Sequence, residues 1–266
     1  MRPLEEFVVP GVLSMWHCPQ CGLYQQGQLP ETQHYSICYH DAYASHRHRK
    51  LRTAAARLAR VAGRLEVETP RLLDIGCSLG FTVEMASQLG WDAQGVDISG
   101  DAVELCRQRG LNCHQASAVD LPYDDRTFDV VTAWHVIEHI DNAAATLAEW
   151  SRVLVPGGLL VLETPDSSCL KVRLLGPRYR RFWTPEHVYV FNRQNLIPLI
   201  EAAGLDVVPA PALGRLGQLP PGLALYSIGY RLHKRMMSWL GLDKAFQLLC
   251  RRRSVALEAQ PLRRAA

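Results

Sequence analysis

LLDIGCSLGFTVEMASQLGWDAQGVDIS, residues 72–99, reads as strand, glycine turn, helix and second strand. Leu72 and Leu73 belong to a short apolar run that ends at Asp74. Gly76 and Gly80 bracket a turn where backbone must approach a ligand closely, which a Cβ would hinder. Phe81–Gln88 has helical spacing, and Gly90 stops it. Ala93–Val96 is the second strand, with Asp97 at its end. An acid about twenty residues past the first glycine, at the tip of a second strand, is placed to accept both hydroxyls of a ribose.

Two nucleotide motifs are excluded. The turn is Gly76-Cys77-Ser78-Leu79-Gly80, so the dinucleotide pattern G-x-G-x-x-G fails, and no Lys-Ser/Thr pair follows the glycines as a P-loop requires. The stretch resembles motif I of class I S-adenosylmethionine-dependent methyltransferases, usually D/E-x-G-x-G-x-G. Asp74, Gly76 and Gly80 match, and Ser78, small enough to keep the loop tight, stands where the middle glycine is commonest. The resemblance implies an α/β fold. Its Rossmann-like, seven-stranded, mostly parallel sheet has order 3-2-1-4-5-7-6, with the last strand antiparallel and helices on both faces. It also implies S-adenosyl-L-methionine as cofactor, held by Asp74, Gly76, Cys77, Ser78, Gly80, Phe81, Asp97 and Ile98.

Further matches follow in order. Gly100–Arg109 is a helix and Asn112–Ala116 strand three, after which Ser117 and Ala118 stand where the resembled family holds the adenine edge. That family usually places an acid there; Asp120 comes slightly later and reads as structural. Leu121-Pro122-Tyr123 and Thr127-Phe128-Asp129 lead into strand four, a continuous apolar run to Trp134 of the kind that is covered on both faces. Its C-terminal end lies at the ligand crevice of a parallel sheet, so Ala133, Trp134 and His135 border the methionine part of the cofactor. Glu138-His139-Ile140 matches a family signature; His139 reads first as a residue that caps and packs the local turn, and otherwise as a substrate contact. Ala143–Leu154 is a helix ended by Val155-Pro156-Gly157-Gly158, a tight turn into strand five at Leu159–Glu163.

Apolar content is 48%, charged content 21% and net charge +3, which is globular and gives no argument for nucleic acid. No run is long and apolar enough to span a bilayer, and the opening MRPLEEFVVPGVL does not read as a signal peptide. Eight cysteines are scattered, several of them (Cys77, Cys106, Cys113, Cys169) inside core-like patterns. A reducing cytosol without a disulfide framework is expected.

Residues 1–45 form a segment of their own. Cys18-Pro-Gln-Cys21-Gly22 is half of a zinc knuckle, and a closed site needs four ligands. Cys38 could supply a third ligand and His17, His34 or His40 a fourth, while a metal-free remnant is the alternative. Members of the resembled family often open with two such knuckles and a Tyr-rich stretch; here one knuckle and Tyr35, Tyr39 and Tyr43 are present. The methyltransferase domain is then expected over 46–262. His46–Leu65 is its N-terminal helix, with Leu51, Ala55, Leu58, Val61 and Ala62 toward the sheet and Arg57, Arg60 and Arg64 outward.

Residues 167–191 form a basic, aromatic lid. Arg173, Arg178, Arg180 and Arg181 alternate with Tyr179, Phe182 and Trp183. Arginine forks and rings suit an anionic or sugar-nucleotide ligand; the alternative is a lid that packs its rings on the core. Pro185–Phe191 resembles the E-H-x-x-x-F segment of small-molecule methyltransferases. That resemblance implies His187 as general base, with Glu186 and Tyr189 as catalytic partners. Asn192 onward is a helix and strand six, with Pro198 either bending the helix or marking a later start. A helical insert at about 217–250 carries Arg231, Lys234 and Arg235 on its polar side and packs on the lid, makes a dimer contact or lies on an anionic membrane. Ser254–Ala259 is read as strand seven.

The leading expectation is an enzyme that methylates a small acceptor, most simply a hydroxyl of a sugar, glycan precursor or quinone-like compound. The alternative is a methyltransferase-like binding or scaffold protein. Base N-methylation calls for Asn/Asp-Pro-Pro-aromatic after strand four, and Ala133-Trp134-His135-Val136 stands there instead. No nucleic-acid partner is therefore expected.

Overall fold

The structure is a computed structural model that describes residues 5–8, 14–27, 46–179, 183–184, 186–209, 221–240 and 242–254. Three short strands, β1 (Glu5–Val8), β2 (Ser14–His17) and β3 (Tyr24–Gln26), precede helix α1 (Arg47–Ala62). Strands and helices then alternate: β4 (Arg71–Ile75), α2 (Phe81–Gln88), β5 (Asp92–Asp97), α3 (Gly100–Gln108), β6 (Cys113–Gln115), β7 (Phe128–Trp134), α4 (Ala143–Val153) and β8 (Leu154–Pro165). They are followed by α5 (Leu170–Leu175), β9 (Tyr189–Val190), α6 (Arg193–Ala202), β10 (Leu205–Val208), α7 (Pro221–Trp239) and β11 (Ala245–Arg252).

The main sheet has the order β10-β11-β8-β7-β4-β5-β6, and β11 runs antiparallel to both of its neighbours. This is the expected 3-2-1-4-5-7-6 order, read from the other edge. Both faces are buried, because side chains alternate along each strand. Leu72, Val130, Leu159, Val161 and Leu249 face one cluster, filled by Ala55, Leu58 and Val61 of α1 and by Val83 and Met85 of α2. Leu73, Ile75, Val131, Ala133, Leu160, Leu162, Leu248 and Cys250 face the other, filled by Leu147 and Trp150 of α4 and Leu196 and Ile200 of α6.

Three local expectations are corrected. The run expected to stay helical through Leu249 leaves the helix at Trp239, and Ala245–Arg252 is strand seven, pairing with β8 from Ala245–Pro165 to Arg251–Leu159. A short apolar run fits either period, and the open edge of β8 selects the strand. Of the stretch read as strand seven, residues 255–259 lie outside the described residues. The Pro156-Gly157-Gly158 element lies inside β8 rather than before it, where the pairing with β7 shifts register between Phe128 and Val130. Of the two alternatives for Pro198 the later start is excluded: helix α6 starts at Arg193 with Pro198 inside it, because Asn192 and Asn195 form a reciprocal capping box.

The N-terminal segment joins the domain through a second sheet of order β1-β2-β3-β9. Its strand β9 belongs to the expected lid. Beneath it Met15, Cys169, Val172, Trp183 and Val190 make a small core. Trp183 is buried there and its indole N–H donates to the Gly176 carbonyl at 3.0 Å. Tyr24 packs 5.0 Å from it, centroid to centroid. Arg173 and Arg178 are exposed, while Arg180, Arg181 and Phe182 lie outside the described residues.

The Cys18–Cys21 turn closes through Gly22 N–H to the Cys18 carbonyl at 2.7 Å, with Gly22 at φ +69°. The start of α6 holds it. Asn192 Nδ2 donates to the Cys21 and Gly22 carbonyls at 3.0 and 3.2 Å, and Asn195 Nδ2 to the Cys21 carbonyl at 3.2 Å. Asn192→Ala removes the helix cap and two of these bonds together. It is expected to lower stability by about 2 kcal/mol in urea titration, with faster proteolysis of residues 14–27 than of the main sheet.

Candidate functional site

A cleft of about 1080 Å³ opens at the carboxyl ends of β4, β5 and β7. This is where an open parallel sheet leaves room between diverging connections. Its floor is the turn from β4 to α2. Gly76 and Gly80 have φ of +66° and +69°. Packing also requires them: a Cβ on Gly76 would stand 2.6 Å from Val136 Cγ2, and one on Gly80 2.7 Å from Leu111 Cδ1. Ser78 has φ +48°, in the left-handed region. A side chain there costs about 1–2 kcal/mol, which is the physical reason for glycine at this place in the motif.

The same turn orients Asp97. Its Oδ2 accepts from the Ser78 N–H at 2.7 Å and its Oδ1 from the Ser99 N–H at 2.9 Å. The carboxylate is thereby fixed at the cleft wall at the tip of β5. Beside it Ile98 is 59% exposed and Val119 49%, both in the cleft lining with Ser117 and Ala118. Two bare aliphatic side chains inside a cleft make the walls of a slot for a flat base. Ala118 is held by Trp150 Nε1, which donates to its carbonyl at 2.9 Å. Asp120 is exposed and outside the lining, and it bridges back to Ser117.

Asp74 is 1% exposed, and its Oδ1 accepts from Thr132 Oγ1 at 2.6 Å. Burial pushes its carboxyl up to about 7, against hydrogen bonds from Thr132 and Thr82 and the charge of Arg57. At the end of β7 the buried indole N–H of Trp134 has no acceptor among the described residues, a donor that a ligand in the cleft can satisfy. The Arg57 guanidinium lies 4.1 Å over that ring. An acid for a ribose, an apolar slot for a base, and a polar pocket with an unsatisfied donor together fit S-adenosylmethionine.

His135, at φ +59°, stands between two buried carboxylates. Its Nδ1 is 3.1 Å from Glu138 Oε1 and its Nε2 3.1 Å from Glu163 Oε1. Burial alone would lower its pKa, but the two acids outweigh that and raise it to about 9. Burial likewise opposes ionisation of Glu138 and Glu163, yet both are held below the ordinary carboxylate range: Glu138 by His135, and Glu163 by Arg57, His135 and Lys234. Glu163 also pairs directly with Arg57 and accepts from Gln247 Nε2 at 2.5 Å.

The lining also includes His139, Tyr179, Glu186, His187, Tyr226 and Tyr230. His139 and His187 meet edge to face, 5.0 Å between centroids. His139 Nδ1 lies 2.7 Å from the Glu186 carbonyl and must donate, since a carbonyl only accepts. Glu138, His139 and His187 bring one ligand atom each within 4.8 Å of one another, a carboxylate–imidazole set able to take a divalent transition metal. Cys77, Cys106 and Cys113 bring their sulfurs equally close beneath the glycine turn. Cys77 is raised well above the usual thiol range and Cys113 to about 12, in both cases first by the bond with Cys106, so these thiols stay protonated.

The cofactor residues read from the sequence, Asp74, Gly76, Cys77, Ser78, Phe81, Asp97, Ile98, Ser117, Ala118, Trp134 and His135, are brought together in this lining. Gly80 and Ala133 stand just behind it. Gly80 caps α2, and Ala133 is buried in β7. Glu186 and His187 face the cleft; Tyr189 does not, because β9 turns its hydroxyl to donate to the Asp141 carbonyl at 2.9 Å. His139 reaches the cleft rather than only closing its turn.

Arg57 and Arg60 point inward, contrary to the outward face expected. Arg57 pairs with Glu163 and Arg60 with Gln247, because α2 and α7 both pack on α1 and leave it little solvent face. Arg49, Lys50, Thr53 and Arg57 of α1, with Tyr226 and Tyr230 of α7, are among the lining residues that sequence reading missed, as are Thr82 and Val119. For those of α1 the only signal was the i, i+4, i+8 spacing of Arg49, Thr53 and Arg57. Cys18 and Cys21 have no third ligand group beside them among the described residues, and Cys38, His34 and His40 lie outside these. Turn amides lower the Cys18 thiol, and burial raises that of Cys21.

Residues 43–210 match the family described as "Methyltransferase domain". The ubiquinone biosynthesis O-methyltransferase of Cereibacter sphaeroides is 32% identical over 150 residues, which is 52% of this chain and 61% of that protein. The enzyme of the same name from Methylococcus capsulatus is 32% identical over 198 residues, 65% of this chain and 83% of that one. Among solved structures, an S-adenosylmethionine-dependent methyltransferase from Mesorhizobium loti superposes with a TM-score of 0.54 at 15% identity, covering 76% of this chain and all of that one, a likeness of fold.

Glu163→Ala would leave Arg57 and Lys234 without their shared counter-charge, and is expected to cost about 3 kcal/mol in denaturant titration. The alkaline limb tests His135. Its pKa is about 9 folded against 6.5 for a free imidazole, so its contribution is complete below about pH 6.5 and is lost as pH rises through about 9. Melting temperatures followed into the alkaline range should fall more steeply for the native chain than for His135→Gln.

Proposed function

This chain belongs to the class I S-adenosylmethionine-dependent methyltransferase family, and from that premise we propose that it methylates a hydroxyl of a small acceptor, with a quinone-like phenol ahead of a sugar or glycan precursor. The observation that carries the proposal is the pair His139 and His187 beside buried Glu138, in the cleft that also holds Asp97 and Asp74. The names of the Cereibacter and Methylococcus relatives support a phenolic acceptor. So do the rings of Tyr179, Tyr226 and Tyr230 in the lining of the same cleft, which suit a flat aromatic guest.

The cofactor, when bound, supplies a sulfonium methyl group already activated for in-line displacement. The chain must hold both partners and remove one proton. Asp97 would receive the ribose hydroxyls, and Ile98 and Val119 would lie beside the base. Asp74, with its raised pKa, ionises when an α-ammonium group comes near, since an opposite charge favours the charged form. His187 accepts the acceptor's hydroxyl proton. His139, anchored by its Nδ1 donation to the Glu186 carbonyl, holds the neighbouring ring in place. Glu138 is ionised beneath them and stabilises the imidazolium that forms.

Calorimetric titration with S-adenosylmethionine tests the cofactor residues. Asp97→Ala should weaken binding at least about tenfold, the loss of one charged hydrogen-bonding group. Near neutral pH the binding heat should vary with the buffer's ionisation heat, because Asp74 releases a proton, and this dependence should vanish in Asp74→Asn. For the acceptor, a panel of catechols and hydroxylated sugars is assayed for methyl transfer. His187→Ala should lower kcat by about 10²-fold or more with cofactor affinity unchanged. Absence of cofactor binding in folded protein would overturn the enzyme reading in favour of a scaffold.

A further inference from the structure

Helix α7 is amphipathic in the inverted sense. Its body-facing side carries polar groups beside Leu223 and Ala224, which pack on the core: Ser227 is fully buried and donates to the Leu223 carbonyl at 2.8 Å, and Lys234 Nζ pairs with Asp243 at 2.8 Å. Arg231 Nε bonds back to the Ser227 carbonyl at 3.1 Å. Its outward side is apolar. Leu225 is 72% exposed, Leu232 64%, Met236 52% and Trp239 84%. Their spacing of i, i+7, i+11 and i+14 puts all four on one stripe. Of the polar side expected of this helix, Arg231 and Lys234 turn to the protein, where the charge of Glu163 lies 3.9 Å from Lys234 Nζ, while Arg235 stays exposed.

The charge around the stripe identifies what covers it. Residues 221–240 contain three Lys and Arg and no acid, and residues 46–65, mostly α1, contain seven and no acid. The two helices lie side by side, with Arg52 stacked 4.1 Å over Tyr226. The rest of the chain holds all 26 acids against 19 Lys and Arg; of the ten cations on this pair of helices, Arg57, Arg60, Arg231 and Lys234 turn toward the protein and the others remain for its surface. Arg235 and His233 flank the stripe and are exposed, as are His48 and Arg49 at the start of α1; Arg47 beside them is exposed and pairs with Glu84. A second copy of the same face would bring like charge against like. An anionic bilayer supplies both complements, acyl chains for the stripe and headgroup phosphates for its flanks, and a terminal Trp sits well at that boundary. No helix among the described residues is long and apolar enough to cross a membrane.

We propose that the exposed face of α7, with the basic start of α1 beside it, docks the protein on an anionic lipid surface. The inner side of the same helix carries Tyr226 and Tyr230 into the cleft lining. The proposal does not depend on methyl transfer, and binding can be read without activity. The full chain is sedimented with phosphatidylcholine vesicles with and without phosphatidylglycerol. Binding is expected only with the anionic lipid, weakening as salt rises. Leu232→Glu combined with Trp239→Ala should reduce the bound fraction about tenfold or more with melting temperature and cofactor affinity unchanged, and Arg235→Glu should reduce it less. Equal binding of the double variant, or none by the native chain, would overturn the proposal. So would self-association in the absence of lipid that the same variant abolishes, which would assign the stripe to a second copy.

Discussion

The buried carboxylate of Glu163 is the tie on which the cleft depends. It is 5% exposed at the end of β8 and gathers partners from four other pieces of chain: Arg57 of α1, His135 after β7, Gln247 of β11 and Lys234 of α7. A buried ion pair is stabilising only when its geometry and hydrogen bonds offset desolvation. Here one anion faces three cationic groups and an amide, and its ionised form is favoured. The same contacts bring α1 and α7 over the carboxyl edge of the sheet and so build the two outer walls of the cleft.

Backbone geometry and charge act together at this edge. Ser78 and His135 both adopt left-handed conformations rare for side-chain-bearing residues, and both border the cleft. Each is held by polar bonds: Ser78 through its N–H to Asp97, and His135 through two carboxylates. Local strain of about 1–3 kcal/mol per residue persists when surroundings over-determine it, and it clusters where function needs a fixed geometry. The resulting charge pattern is graded. Asp74 sits close to neutrality, while Glu138 and Glu163 are firmly ionised and His135 is a cation between them.

The N-terminal segment is integrated by hydrogen bonding as well as by packing. Pairing of β3 with β9 fixes the chain immediately after His187, and the amides of Asn192 and Asn195 fix the Cys18–Cys21 turn. This small sheet therefore positions Glu186 and His187 from a part of the chain far away in sequence. It also explains Tyr189, whose hydroxyl strand alternation turns away from the cleft to the Asp141 carbonyl.

What the sequence determined by itself is the part written in local periodicity and steric need. Alternating apolar runs and the turn Gly76–Gly80 specified the parallel strands, the cofactor loop and Asp97, because each feature depends on neighbours within about twenty residues of it. Glu186 and His187 were legible in the same way, as a short motif. Tertiary structure decided the rest. Arg57 and Arg60 turn inward because α7, some 170 residues later in the chain, covers the face they would have shown to water. Residues 245–252 become a strand because β8 offers an open edge, although their apolar run fits either period. Lys234 of α7 faces inward because Glu163 and Asp243 lie beneath it, and no pattern within the helix carries that information.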